Sequence, residues 1–330
     1  MILLTGATGY IGSHVWVELL KGSIPVIGID NLSNSKIDCL DAILKISGKT
    51  PSFYKGDVRD ESFLQKVFSE NKISHVIHLA ALKGVQESMT LENEYFDVNV
   101  QGLRNLLVAM RRGGCQNIIF SSSAAVYGEL ATSPIMESAA TNPSNYYGKT
   151  KLEGEKMLAS ERLDSPPINS VSLRYFNVAG RDVSGLLPDF SLVNSRSLFS
   201  EIEKSLRCDL TSLSVFGDDW DTPDGTCIRD YVHITDLVEG HLAALRFLDN
   251  QGGIHAVNLG SGVGRSVYEV VSSYKHATGI DIPLKVVGRR EGDVAVSFAD
   301  VALAAKLFGW KPKKALSEIC SDDFRALKLP

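Results

Sequence analysis

The sequence lacks the usual features of a metal-bound or disulfide-bonded protein. It has 5 cysteines in 330 residues, and none of them stands in a CxxC or a Cys/His cluster. A disulfide framework and a zinc site are therefore not expected, and the cysteines are predicted to be reduced thiols of a cytoplasmic protein. The 7 histidines show no HExxH spacing. No metal site is predicted.

Long apolar runs and an excess of positive charge are also missing. No stretch of about 18 apolar residues occurs, so no membrane span is expected. The opening MILLTGATGYIG has neither a basic segment nor a long apolar one, so no signal peptide is expected. The formal net charge is −5, which gives no reason to predict a nucleic-acid or acidic-membrane partner. The composition is that of a globular protein long enough for two domains.

Short apolar runs alternate with helical patterns in the first half of the chain. The predicted strands are residues 2–4, 25–30, 74–80, 117–123 and 171–176. The predicted helices are residues 11–22, 61–70, 95–112 and 145–163, with a further short helix at 316–327. This alternation predicts an α/β fold with a doubly wound parallel sheet of the Rossmann type. Since the pattern weakens after Phe176, we predict one domain at residues 1–176 and a smaller C-terminal lobe at 177–330, with part of 231–260 returning to the first domain.

A glycine loop follows the first predicted strand. TGATGYIG places Gly6, Gly9 and Gly12 between a strand and a helix. Glycines there permit a tight turn and the close approach of a pyrophosphate to a helix N-terminus. Asp30 ends the second strand, where a carboxylate accepts hydrogen bonds from a ribose diol and repels a 2′-phosphate. The loop therefore predicts dinucleotide binding, with NAD favoured over NADP. A tight turn without a ligand is the alternative.

Two adjacent tyrosines in TNPSNYYGKTK raise the question of which is reactive. Tyr147 has Lys151 four residues on, on the same helical face, whereas Tyr146 has Thr150 there. A neighbouring ammonium is expected to lower the pKa of a phenol and make it an acid/base catalyst. Taken alone, this spacing is more typical of an ordinary amphipathic helix. Ser123 ends a predicted strand in SSSAAVYG, where α/β folds bind ligands.

The combination of glycine loop, strand-end serine and YxxxK resembles the extended short-chain dehydrogenase/reductase family over nearly the whole chain. Longer stretches resemble its UDP-galactose 4-epimerases. They are DNLSNSK, HLAALKGVQES, YYGKTK, LRYFN, FGDDWDTPDGTCIRDYVHITDL, NLGSGVG and GRREGD. The resemblance implies an isomerase that uses NAD to interconvert UDP-glucose and UDP-galactose through a 4-keto sugar.

The resemblance also implies roles for individual residues. The catalytic residues would be Ser123, Tyr147 and Lys151. The cofactor-binding residues would be Gly6, Gly9, Tyr10, Ile11, Gly12, Asp30, Asn31, Asn34, Ser35, Asp57, Val58, Leu79, Ala80, Ala81, Lys83, Asn99, Ser121, Tyr147, Lys151 and Phe176. The substrate-binding residues would be Lys83, Ser123, Tyr147, Asn177, Asn194, Ser195, Phe216, Arg229, Arg290, Asp293 and Ser297. For Arg229 and Arg290, ordinary surface salt bridges are the alternative.

The chain departs from the epimerase pattern after Asn177. VAGRDVSGLLPDFSLVNSRSLF is shorter than the family's loop, and residues 194–196 replace its Asn-Asn-Leu. At the position of Ser297 the family can have a tyrosine that restricts the pocket to unsubstituted hexoses. The serine predicts room for the 2-acetamido group of UDP-GlcNAc or UDP-GalNAc.

Three alternatives and one assembly prediction remain. A nucleotide-sugar 4,6-dehydratase would need acidic residues after Ser123, where Ala124 and Ala125 stand. Another nucleotide-sugar oxidoreductase would release NADH, and a non-catalytic NAD-binding protein on the same fold would tend to lack Tyr147 or Lys151. The resemblance also implies a homodimer built on the helices at 95–112 and 145–163.

Overall fold

The computed structural model describes residues 1–129, 132–162, 166–187, 197–207, 210–290 and 292–327. The strands are β1 (Ile2–Thr5), β2 (Val26–Asp30), β3 (Ser52–Lys55), β4 (His75–His78), β5 (Asn117–Ser123), β6 (Asn169–Tyr175), β7 (Asn177–Ala179), β8 (Leu213–Phe216), β9 (Ile228–His233), β10 (Ile254–Leu259), β11 (Gly264–Ser266), β12 (Leu284–Val287) and β13 (Val296–Ser297). The α-helices are α1 (Tyr10–Lys21), α2 (Cys39–Ser47), α3 (Glu61–Glu70), α4 (Val85–Ser88), α5 (Glu92–Tyr95), α6 (Gly102–Arg112), α7 (Tyr146–Glu161), α8 (Leu198–Leu206), α9 (Ile234–Asn250), α10 (Val267–Thr278), α11 (Ala302–Phe308) and α12 (Leu316–Ala326). A π-helix spans Phe96–Gln101, and a 3₁₀ turn spans Ala124–Val126.

The predicted elements occur close to their predicted positions. β5 and α3 have the predicted bounds. α7 starts one residue later than predicted, because Asn145 lies outside the helix and caps it by accepting a hydrogen bond from the Gly148 N–H at 2.8 Å. The helix predicted at 95–112 is wrong in one respect: a π-helical turn separates α5 from α6, and Asn99 lies in that turn. Such wide turns are frequent at functional sites.

One parallel sheet of seven strands forms the centre of the fold, in the order β10-β6-β5-β4-β1-β2-β3. The chain moves in one direction from β1 to β3 and in the other from β4 to β6. The order therefore reverses between β1 and β4, and ligands of such sheets bind at the carboxyl ends of the strands beside that point. The predicted doubly wound parallel sheet is confirmed.

Helices cover both faces of this sheet, and the alternating side chains of the strands explain why. Leu4 packs on one face with residues of α1 and α9, while Leu3 packs on the other with residues of α3 and α6. Successive side chains of a strand point to opposite faces, so a strand covered on both sides is apolar throughout. All four residues of β1 are accordingly buried.

Two smaller sheets lie outside the central one. β9 pairs with β11 in antiparallel orientation and with β7 and β13 in parallel. β8 and β12 form a separate parallel pair. β7 begins directly after β6 leaves the central sheet, so the two sheets meet at the carboxyl edge where β5 ends at Ser123. This junction positions the site.

Candidate active site

The glycine loop forms a close-packed turn at the end of β1. Gly6 has a φ of +67°, and a Cβ on it would lie 2.7 Å from the Ala80 nitrogen. A Cβ on Gly12 would lie 2.1 Å from the Gly6 carbonyl oxygen. No residue other than glycine fits either position. Gly9 caps α1 without a side-chain bond, and no acidic residue stands in the first turn. The first N–H groups of the helix, which include those of Tyr10 and Ile11, can therefore receive an anion.

Asp30 organises the end of β2. Its carboxylate accepts hydrogen bonds from the N–H groups of Thr8 at 3.2 Å and Leu32 at 2.8 Å, and from the Ser35 hydroxyl at 3.2 Å. The Ser35 hydroxyl is also 2.7 Å from that of Thr8, which ties this loop to the glycine loop. Asn34 is exposed in the same loop. The structure thus brings Asp30 and Ser35, two of the predicted cofactor residues, next to the glycine turn.

Asp57 is held by a partner that the sequence did not single out. The Arg59 guanidinium donates to it at 3.0 and 2.8 Å, and Asn31 donates to it at 2.8 Å. The hydrogen bond from Arg59, with a smaller contribution from Asn31, lowers the pKa of Asp57 to about 2. Arg59 also contacts Asp97 at 3.1 Å. Val58 is buried beside this group.

Asn99 fixes the segment that follows β4. Its side chain accepts from the Leu82 N–H at 2.8 Å and donates to the Leu82 carbonyl at 3.0 Å and to the Thr150 hydroxyl at 3.0 Å. The Thr150 hydroxyl in turn donates to the Tyr147 carbonyl at 2.8 Å. Asn99 therefore joins Leu82, which lies between the predicted cofactor residues Ala81 and Lys83, to the helix that carries Tyr147. Lys83 itself is exposed.

Ser123, Tyr147 and Lys151 come together at the end of β5. The Ser123 hydroxyl accepts from the Ala125 N–H at 3.2 Å and is near enough to the Tyr147 hydroxyl to lower its pKa. The Lys151 ammonium lies 5.8 Å from the centre of the Tyr147 ring and 5.0 Å from that of Phe120. This is the arrangement that the YxxxK spacing and the strand-end serine predicted.

The predicted lowering of the Tyr147 pKa is wrong for the protein without ligands. Burial raises the pKa of Tyr147 to about 12, and the neighbouring Ser123 hydroxyl only partly opposes this rise. Burial lowers the pKa of Lys151 to about 7. Both shifts have one cause, since an apolar setting disfavours the phenolate and the ammonium alike. A spacing of four residues places the two groups close together, but it does not show how far they are buried from solvent.

Ser121 lies in β5, and Phe176 directly follows β6. The Tyr175 hydroxyl lies 2.6 Å from Nε2 of His241. Burial raises the pKa of Tyr175, and the nearby Ser121 hydroxyl partly opposes the rise. Phe176 is buried in a cluster with Tyr127 and Ala299. Ala299 lies two residues beyond Ser297, so this cluster connects the catalytic edge with the small sheet.

A buried ion pair beneath Ser123 was not predicted from the sequence. Arg174 of β6 donates to Glu155 of α7 at 2.9 and 2.6 Å, and the Ser122 hydroxyl donates to the same carboxylate at 2.5 Å. The pair ties the helix that carries Tyr147 to the two strands below it. An arginine within the strand predicted at 171–176 and a glutamate four residues after Lys151 were the available signals.

The predicted substrate residues of the C-terminal lobe also come together. Arg290 donates to Asp293 at 3.1 Å through two nitrogens, and its guanidinium lies over the Phe216 ring at 5.2 Å. Arg229 donates to the Val294 carbonyl at 2.6 Å and approaches Asp293 at 3.4 Å. Both arginines thus form salt bridges with one carboxylate, as the alternative interpretation held, and these contacts also bring Arg229, Arg290, Asp293 and Phe216 into one cluster.

Two further predicted substrate residues, Ser297 and Asn177, lie on strands that pair with β9. Ser297 pairs with Arg229 in the register of β13 and β9. Asn177 is exposed at the start of β7 and pairs with Tyr231. Asn194 and Ser195 lie outside the described residues.

The part of the chain that the structure describes has neither a cluster of metal-binding side chains nor a membrane-spanning helix. It contains no group of three or more His, Cys, Asp or Glu side chains suited to a metal ion. Among the same residues, every helix is too short or too polar to span a bilayer.

The chain is similar to known proteins over most of its length. The chain matches the model of the NAD dependent epimerase/dehydratase family over residues 2–260. It is 42% identical to the UDP-glucose 4-epimerase of Haemophilus influenzae over 322 residues, which are 97% of this chain and 95% of that one.

Solved structures are similar along the whole chain. The UDP-glucose 4-epimerase from Stenotrophomonas maltophila, with bound NAD and formylated UDP-arabinopyranose, has a TM-score of 0.96 and 39% identity and covers 99% of this chain and 97% of its own. The enzyme from Bifidobacterium longum, in complex with NAD+ and UDP, has a TM-score of 0.91 and 39% identity, with coverage of 98% and 97%.

Proposed function

Because this chain belongs to the NAD-dependent epimerase/dehydratase family, we propose that it is an NAD-dependent UDP-hexose 4-epimerase that interconverts UDP-glucose and UDP-galactose. The observation that carries the proposal is that Ser123, Tyr147 and Lys151 lie together at the edge of the sheet where ligands bind. The Ser123 hydroxyl is near enough to lower the pKa of Tyr147, and the Lys151 ammonium lies 5.8 Å from the centre of its ring. The similarity to UDP-glucose 4-epimerases over nearly the whole chain supports the substrate class.

The glycine turn and the Asp30 loop fit NAD. The pyrophosphate would lie at the N-terminus of α1, where Gly6 and Gly12 leave no room for side chains. The adenosine ribose would be held by Asp30, and the adenine would lie near Asp57 and Val58. NAD, when bound, supplies the acceptor and donor of the hydride and a positively charged nicotinamide ring, which favours a nearby phenolate.

The chain's own residues would then move one proton and hold one sugar. Tyr147 takes the proton of the hydroxyl on carbon 4 as the hydride leaves that carbon, and Ser123 orients the same oxygen. Lys151 stabilises the phenolate, since an ammonium nearby favours an anion. The resulting 4-keto sugar turns over in the site, and Tyr147 returns the proton when the hydride adds to the other face.

The cluster of Arg229, Arg290 and Asp293 would hold the UDP moiety. A guanidinium matches a diphosphate in shape and charge, and a carboxylate accepts from a ribose diol. Arg229 and Arg290 lie 3.4 and 3.1 Å from the carboxylate of Asp293, so the two guanidinium groups are held close together. Phe216 would contact the nucleotide beside Arg290.

The nearest alternatives are a 4,6-dehydratase and an oxidoreductase that releases NADH. A dehydratase must remove a proton and expel water across carbons 5 and 6, which needs an acid and a base. The side chains after Ser123 are those of Ala124 and Ala125, and neither can transfer a proton. This absence of an acid/base pair after Ser123 favours the epimerase.

A panel of sugar nucleotides tests the proposal. The purified protein is incubated with UDP-, dTDP- and GDP-hexoses without added NAD, and the products are separated by chromatography. We expect UDP-glucose and UDP-galactose to interconvert, and boiling to release NAD from the protein. A 4-keto-6-deoxy product, or a requirement for added NAD in stoichiometric amounts, would refute the assignment.

Asp30 is proposed to select NAD over NADP. Replacing Asp30 by Ala should weaken NAD binding by about 10- to 100-fold, because a charged acceptor of the ribose hydroxyls is lost. NADP should be excluded less strongly, since a negative charge near its 2′-phosphate is removed. Asp38→Ala removes an equal charge from the exposed start of α2 and serves as the control. Calorimetric titration gives both affinities, and equal affinity of the natural protein for NAD and NADP would contradict the role.

We also propose the domain division and the location that the sequence predicted. Residues 1–176 would form the NAD-binding domain and residues 177–330 mainly the nucleotide-sugar lobe, with part of 231–260 in the first domain. The pairing of β10 with β6 supports that return. The proposed location is the cytoplasm, which agrees with the free thiols of Cys39, Cys115, Cys227 and Cys320.

A homodimer is proposed, with an interface that does not use the buried leucines of α6 and α7. Leu103, Leu106, Leu107, Met110 and Leu158 are buried in the core of the chain itself. A different surface stays apolar, with exposed fractions of 46% at Val85, 52% at Met89, 41% at Leu91 and 43% at Phe96. Adjacent exposed apolar side chains of this kind are typical of protein–protein contacts.

Light scattering at micromolar concentration tests the dimer. We expect a mass of twice 35.9 kDa for the natural protein. Phe96→Arg should shift the protein to the monomer, because it places a charge within the apolar surface. Val286→Arg changes a comparably exposed residue, 45% accessible, in the separate β8–β12 pair and should leave the dimer intact. A monomeric natural protein would contradict the proposal.

A further inference from the structure

Residues 180–187, which follow β7, are hydrogen-bonded to the helix that begins at the glycine loop. The Tyr10 hydroxyl donates to the Gly180 carbonyl. The Asp182 N–H donates to Nε2 of His14 at 3.1 Å. Leu187, only 1% exposed, packs into the core cluster that contains residues of α1. The segment on the substrate side is therefore attached to the first two turns of the predicted cofactor helix.

The hydrogen bonds of His14 show which ring nitrogen carries the proton. Because its Nε2 accepts from the Asp182 N–H, the ring proton is on Nδ1, which donates to the Tyr10 carbonyl at 2.7 Å. The His14 and Tyr10 rings meet edge to face with centroids 5.4 Å apart. His14 is only 3% exposed, so water cannot readily replace Asp182 as its partner. The lost bond would leave a buried acceptor and a backbone donor unpaired, which is costly.

The other side of the segment is anchored in the C-terminal lobe. Arg181 pairs with Glu203 of α8 at 2.8 Å and approaches Asp323 of α12 at 3.4 Å. Gly180, at a φ of +80°, has no room for a Cβ, which would lie 2.8 Å from the His233 ring. His233 ends β9, the strand that carries Arg229. Residues 180–187 thus bridge the cofactor helix and the elements around the proposed UDP site.

We propose that His14 is a positioning residue for the nucleotide sugar. From α1 it holds residues 180–187, and through them β7 with Asn177, in the arrangement that binds UDP. The inference rests on the proposed function, since it takes UDP as the ligand of the C-terminal lobe. His14 touches neither the sugar nor the reacting atoms. Its effect is on the affinity for the nucleotide, and the acid/base work of Tyr147 does not depend on it.

The test compares two replacements of His14 in the NAD-loaded protein. His14→Met has a similar length but no good acceptor, whereas His14→Gln keeps an acceptor near the position of Nε2. UDP itself is the probe, titrated by calorimetry. We expect His14→Met to weaken UDP binding by about five- to tenfold, the factor that one buried hydrogen bond supplies. His14→Gln should restore most of the affinity, and the NAD released by boiling should be unchanged in both.

Hydrogen exchange and kinetics supply readouts that a general loss of stability would not mimic. Amides of residues 180–187 should exchange faster in His14→Met, while those of α6 on the opposite face of the sheet keep their protection. The KM for UDP-glucose should rise by the same factor as the UDP dissociation constant, with kcat nearly unchanged. If His14→Met does not fold, Tyr10→Phe removes the bond to Gly180 and should give the same loss of UDP affinity.

The outcomes separate this inference from the proposed function. Suppose that the natural protein binds UDP and that His14→Met, or Tyr10→Phe where that variant replaces it, binds UDP equally well. That result overturns the role of this contact and leaves the proposed function intact. Failure of His14→Gln to improve on His14→Met also overturns it. Absence of UDP binding by the natural protein overturns the nucleotide assignment, and the inference falls with it.

Discussion

Replacement of Tyr147 by Phe is expected to lower turnover by about 10²–10⁴-fold while the protein keeps its NAD, because a general acid/base is lost and little else changes. The Tyr147 hydroxyl lies near Ser123, and the Tyr147 ring lies beside Lys151. Phenylalanine retains the ring and removes only the oxygen. Initial rates of UDP-galactose conversion, measured together with the NAD released by boiling, give both quantities.

Tyr146→Phe is the matched control for that experiment. The two tyrosines are neighbours at the start of α7 and both are half-buried, but Thr150 stands four residues after Tyr146. We expect Tyr146→Phe to keep most of the activity. An inactive Tyr146→Phe together with an active Tyr147→Phe would show that the reactive phenol had been misassigned.

The second large effect is expected at Ser297. Replacing it by Tyr should lower the ratio of kcat/KM for UDP-GlcNAc to that for UDP-glucose by about tenfold or more. A phenol in the sugar pocket would overlap the acetamido group, and overpacking of a site costs roughly 1–3 kcal/mol. Ser297 is half-buried and pairs with Arg229, so its side chain lies beside the proposed UDP site.

The comparison needs the natural protein and a second variant. The natural protein should epimerise both UDP-glucose and UDP-GlcNAc. Ser297→Ala removes the hydroxyl without adding volume and should leave the ratio near its natural value. Ready conversion of UDP-glucose with none of UDP-GlcNAc by the natural protein, or an unchanged ratio in Ser297→Tyr, would reject the pocket assignment.

The elements of the sheet and the order of the reactive residues could be predicted because their signals are local. β5 is marked by the apolar run at residues 118–120 and the serines that follow it, and Tyr147 and Lys151 share a helical face by spacing alone. The capping of α7 by Asn145 also depends on neighbours in sequence. Local patterns of this kind do not depend on how distant parts of the chain pack.

The properties that the sequence did not reveal depend on distant contacts. The pKa of Tyr147 rises because helices and strands together bury it, whereas the lysine four residues away suggested the opposite. The pair of Arg174 and Glu155 joins a strand to a helix. The contact of His14 with Asp182 spans 168 residues. The fold topology determines which residues meet across such separations, and the spacing of residues along the sequence does not predict it.

Epimerisation of UDP-glucose that carries deuterium on carbon 4, in ordinary water and without added NAD, tests the central claim most directly. If the hydride leaves carbon 4 and returns to it while Tyr147 moves only the hydroxyl proton, the UDP-galactose formed will keep its deuterium on carbon 4. The mass and proton spectrum of the product measure this. Product in which solvent hydrogen has replaced the deuterium, or free NADH accumulating in place of UDP-galactose, would contradict the account.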